Sequence, residues 1–148
     1  MHKSTDPFGH AESTANLWLA AVHERLGAGD RRASYRMLRA WLHAVRDRVT
    51  VETAAHFAAQ LPELLRGVYY EGWNPAHVPV RYDLAEFIER FATEAGISQA
   101  DVPWTAATIT SALRGLCSPG QVEHVLVPMP LALWEMLTAP TGADSGGG

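Results

Sequence analysis

A chain of 148 residues, 47% of them hydrophobic, is the size of one compact domain and can bury roughly 70% of its unfolded surface without a metal or disulfide to hold it. Its single cysteine, Cys117, excludes an internal disulfide scaffold and points to a reducing compartment, hence the cytoplasm. No run reaches the roughly 18 apolar residues of a membrane span, no signal-peptide core stands near the start, and the formal charge of -4 argues against nonspecific binding to nucleic acid or anionic lipid.

Apolar residues recur every three or four positions and strand-like alternation is nearly absent, so the expected fold class is all-α. The glycine-rich 141–148 has no large apolar side chain with which to repay ordering entropy, and 1–12 is grouped with it. Both are expected to be mobile tails around one domain, 13–140. A first helix is predicted over 15–26, with Trp18, Leu19, Val22 and Leu26 inward. "GAGD" ends it and supplies Asp30 as the next cap. The second, 31–48, carries a stripe of Tyr35, Leu38, Leu42, Val45 and Val49. Thr50 caps a short third helix ending near 60, with Thr53 where a capping box would favour Glu or Gln. Pro62 opens a fourth over 62–70, because a first-turn residue has no use for the N–H that proline lacks. Pro75 and Pro79 hold "EGWNPAHVPV" extended, which makes 73–81 a linker. A second series follows: 83–95 with Leu84, Phe87, Ile88 and Phe91 inward, then 103–116. A short helix capped by Ser118 with Pro119 at its first position comes next, and "PLALWEML" is opened by Pro130.

The two halves, 15–72 and 82–138, read as one unit of about four helices written twice. A shift of 68 lays Thr50 on Ser118, His56 on His124, Pro62 on Pro130 and Leu65 on Leu133. A shift of 69 lays Trp18 on Phe87, Val22 on Phe91 and Gly27 on Gly96. The shared order of cap, short helix, proline and apolar helix is the stronger sign. Each half alone is marginal in size, so the two are expected to pack face to face about a pseudo-twofold.

The run "LRAWLHAVRDRVTVETAAHFAAQLPELLRGVYYEGWNP", followed by "DLAEFIERF" and "GQVEHVLVPMP", resembles the bacterial family DUF2267, a domain of unknown function. The most specific pieces are "AAQLPELLRG" and "YYEGW". The second half departs from the family pattern, having "VPMP" where an "AQLP" phrase tends to recur. The resemblance implies a helical bacterial protein of two similar halves and assigns no catalytic residue.

Three sets of residues are candidates for function. Tyr69, Tyr70, Trp73 and His77 could wall a pocket with Glu71 as its polar handle, or seal the seam between halves. Arg32, Arg36, Arg39, His43 and Arg46 project along one line of the second helix, apart from its apolar stripe. That line could meet phosphates, or be an ordinary solvated face. Trp41 falls about 60° off the centre of the stripe and could extend it toward a partner.

The seven histidines show no metal-binding spacing, and no metal or other cofactor is implied. His56 and His124 are expected in one structural niche, half-buried against a carbonyl. Cys117 reads as a buried thiol, and phosphate-binding or nucleophile motifs are missing. The leading expectation is a non-enzymatic protein acting through protein contact, with self-association included. A small-molecule binder or enzyme using Tyr69 to His77 competes with it, and nucleic-acid binding through the arginine line comes third.

Overall fold

Eight α-helices make up the regular structure of the computed structural model, which describes residues 6–141. They are α1 (Gly9–Leu26), α2 (Arg31–Arg48), α3 (Val51–Ala58), α4 (Glu63–Tyr70), α5 (Leu84–Ala95), α6 (Val102–Leu116), α7 (Gln121–Leu126) and α8 (Leu131–Leu137). Short 3-10 turns at Pro75–His77 and Gln99–Asp101 complete it, and no strand occurs among the described residues. No helix there is long and apolar enough to cross a membrane.

Local chemistry sets most boundaries. Asp30 accepts from the Ala33 N–H at 2.8 Å, Thr50 from Thr53 at 3.2 Å and Asp83 from Glu86 at 3.0 Å, each satisfying a donor that a helix start leaves open. Gly27 and Gly96 end α1 and α5 in the left-handed conformation, at φ 73° and 72°, with their N–H groups on the fourth carbonyl back.

Several boundaries differ from expectation. α1 begins at Gly9, not near 15, so 9–12 is helix. Asp6 turns the chain there by accepting from the Phe8 and Gly9 N–H groups. The added turns are polar, and the hydrophobic period was blind to them. Pro62 and Pro130 sit one residue outside their helices, as N-caps of α4 and α8. Ser118 does not cap α7; Gly120 does, at φ 83°, while the Ser118 N–H donates to Gln60 Oε1 at 2.9 Å. The expected tail residues 1–5 and 142–148 lie outside the described residues, and Thr141 is buried.

α2 and α6 are the two central helices. α1 packs on both α2 and α6, and α5 likewise on both, while α4 lies against α1 and α2, α8 against α6, and α3 against α7. Every residue from Thr105 to Leu113 on α6 is buried. Within this stretch Thr110 Oγ1 donates to Ala106 O at 3.0 Å and accepts from Trp41 Nε1 at 3.0 Å, while Thr108 Oγ1 is enclosed without a partner. The linker is pinned to the end of α2. Val80 N–H donates to Asp47 O at 2.7 Å, the Tyr82 hydroxyl donates to Ala44 O, and Arg48 Nε donates to Tyr82 O at 3.1 Å.

Candidate functional site

The candidate line of cations and the candidate aromatic cluster meet in one place. α4 ends at Tyr70 without a left-handed cap, since Glu71 turns away at φ -59°, ψ 122°. Its last carbonyls form the negative end of the helix and need donors. α2 supplies them. Arg46 Nη1 donates to Tyr69 O at 2.8 Å and Glu71 O at 2.7 Å, and its Nε donates to Asp47 Oδ1 at 2.8 Å. His43 Nε2 lies 2.7 Å from Val68 O, and its Nδ1 lies 2.6 Å from Glu94 Oε2 on α5. Arg39 bridges Glu71 at 3.0 Å and Glu94 at 3.4 Å; the hydrogen bond to Glu71 pushes its guanidinium further up from its ordinary range. α2, α4 and α5 are thereby joined by one polar seam.

This overturns the expectation of a single exposed line. His43 is 8% exposed and Arg46 4%, because both turn inward to cap α4, while Arg39 is half-buried. Arg32 and Arg36 remain on the surface.

A small polar cleft of about 60 Å³ opens between α2 and α5, lined by His43, Ala44, Asp47, Tyr82, Arg90 and Glu94. The Arg90 guanidinium lies 4.6 Å from the centre of the Tyr82 ring and pairs with Glu86 at 3.1 Å. At roughly 30 Å³ per water the cleft holds one or two waters, far below the roughly 300 Å³ of a metabolite pocket. The adjoining furrow of about 510 Å³, lined by Glu86, Glu89, Arg90, Thr93 and Glu94, is walled by α5 alone and is a surface feature. His43 beside Glu94 has the look of an acid–base dyad, yet both ring nitrogens face acceptors. Both nitrogens are thus engaged by protein oxygens, and neither is open to a substrate.

The aromatic residues do not wall a pocket together. Tyr69 is fully buried with its hydroxyl donating to Ala54 O at 2.9 Å, and burial pushes that hydroxyl's pKa up. Rings run in file from Phe57 through Tyr69 and Tyr70 to Trp73, with centroids 6.0, 5.2 and 5.1 Å apart. Trp73 is half-buried, and its Nε1 is enclosed without a hydrogen-bond partner. Glu71 is exposed and held by Arg39, while His77 is exposed with its Nδ1 3.0 Å from Asn74 Nδ2. Trp41 offers nothing to a partner: it is 0% exposed, tilted against Phe57 at 5.9 Å and bonded to Thr110. α5 and α6 cover the side of α2 that an isolated helical wheel leaves open.

Two features escaped the sequence. One is an apolar groove of about 160 Å³ where α1, α2 and α4 meet, lined by Ala15, Leu19, Tyr35, Leu38, Leu64 and Val68 among others, with Leu64 48% exposed at its edge. The other is the contact of His56 with His124, whose ring centroids are 4.5 Å apart. Both rings are exposed, and His56 Nε2 lies 2.9 Å from Gln121 Oε1, so the half-buried niche on a backbone carbonyl is not what they occupy.

Among curated proteins the chain finds no match. The profile of the family described as "Uncharacterized conserved protein (DUF2267)" matches residues 15–136, most of the chain, and the protein belongs to the DUF2267 family.

Proposed function

We propose that the protein acts by contact and not by catalysis, and that its partner is a second copy of itself docked at the α1–α2–α4 groove. The observation that carries this reading is Leu64, a half-exposed leucine at the edge of the apolar groove it helps to line. A projecting side chain beside a recess on one face is what an isologous twofold interface needs, since each copy offers both parts. The volume favours a side chain over a metabolite as occupant. About 160 Å³ accommodates one branched or aromatic side chain and is roughly half the smallest metabolite pocket. A cytoplasmic setting fits the single cysteine.

The reading extends to a tandem origin of the fold. α1 lies on α6 as α5 lies on α2, and α3 meets its counterpart α7 directly. Pro62 and Pro130 cap their helices with nearly equal angles, and the bond of His43 to Glu94 has its counterpart, at matching positions, in that of Arg25 to Ser111.

The test is solution mass by light scattering over a roughly hundredfold concentration range, for the wild type and Leu64→Glu. Mass that rises with concentration in the wild type and stays monomeric in the variant, at equal helical content, is expected. A wild type that is monomeric throughout sinks the proposal.

A further inference from the structure

His56 on α3 and His124 on α7 face one another across the contact between these two helices. Gln121 and His124 stand three residues apart on α7 and so share a face, and Gln121 Oε1 reaches His56 Nε2 at 2.9 Å. We infer that His56, His124 and Gln121 form an open surface site for a borderline divalent transition-metal ion such as Zn2+, which clasps α3 to α7.

The geometry carries this in two steps. Two donors bound at about 2.1 Å in a tetrahedral arrangement on one metal stand about 3.4 Å apart. The His56 Nε2 to Gln121 Oε1 separation of 2.9 Å has to open by only about half an ångström to become one edge of such a tetrahedron, with an ion in place of the shared proton. His124 then needs only a side-chain rotation, which an exposed ring makes freely. The donor set chooses the metal class: two imidazoles favour zinc, copper or nickel over magnesium or calcium. Among the described residues no three His, Cys, Asp or Glu side chains gather around a metal position, so the third donor is the amide. Glu123 is held away by Arg114 at 2.5 Å. Both histidines are exposed, so water completes the coordination.

The experiment titrates chelator-stripped full-length protein with Zn2+, following heat, thermal unfolding and the imidazole NMR signals. One saturable equivalent is expected, with the His56 and His124 ring signals shifted and the unfolding temperature raised. His56→Asn and His124→Asn should each weaken binding by no less than the roughly tenfold that loss of an outer-shell partner costs. Their unfolding temperature in EDTA should stay at the wild-type value, because both rings are exposed and the fold does not rest on them. Gln121→Ala should weaken binding as well. Undiminished binding in both histidine variants, shifts confined to other histidines, or no saturable binding at all overturns the site.

Discussion

Arg46 brings its guanidinium into a position 4% exposed, where it donates to the Tyr69 and Glu71 carbonyls at the end of α4. Removing it leaves the Tyr69 and Glu71 carbonyls and the half-buried Asp47 carboxylate without a partner. Arg46→Met is therefore expected to cost about 2–4 kcal/mol, read from the urea midpoint. Arg46→Lys should recover only part of this, since a single ammonium cannot serve two carbonyls and a carboxylate as a planar fork does. Full rescue by lysine would mean that charge alone matters there. Cys117 gives a different kind of prediction. Burial pushes its thiol up from 9.0 to about 11. Between those values the unfolded chain has lost a proton that the folded chain keeps, so this contribution to stability is complete below about pH 9 and declines toward about pH 11. Thermal unfolding of Cys117→Ala should fall less steeply than the wild type across that window. Tyr69 and Tyr82, also raised by burial, act with the same sign from pH 10 upward in both proteins. Equal slopes for the two proteins would remove Cys117 from the account.

Helix ends separate what could be read locally from what could not. Thr50 and Ser118 look alike in sequence, each a hydroxyl ahead of a short helix, yet only Thr50 accepts from its helix. The Pro119–Gly120 pair delays α7, and its glycine takes the left-handed conformation at the cap position. Thr50→Ala should thus cost about 1 kcal/mol and Ser118→Ala close to nothing, both measured by chemical denaturation. Equal losses would mean that Ser118 caps α7 in solution. Asp30, Thr50, Gly27 and Gly96 were legible because a cap acts within four residues. The apolar stripes were legible because burial repeats with the helical turn, as at Leu38, Leu42, Val45 and Val49. The first turns of α1 carry no such stripe and were missed.

At the scale of the molecule, the seam was hidden because its partners are far apart in the chain. His43 meets Glu94 across 51 positions and Trp41 meets Thr110 across 69, and no local pattern on α2 distinguishes a cation turned to water from one turned to a neighbouring helix. For the same reason Trp41 looked like an exposed edge of the stripe and is fully buried. These long contacts define how the fold holds together. α1 rests on α6 and α5 on α2, so each central helix depends on a helix from the other half for its cover. A chain of residues 1–78 loses both, leaving Trp41 without Thr110 and α2 without α5. A piece of that size buries only about 60% of its unfolded surface even when well folded. It should show weak helical circular dichroism and no cooperative thermal transition. Mixing it with residues 79–148 should restore both signals, because the missing cover is then supplied in trans. If 1–78 unfolds cooperatively by itself, the first half is an independent unit, and the packing of α5 on α2 adds stability without being required for the fold.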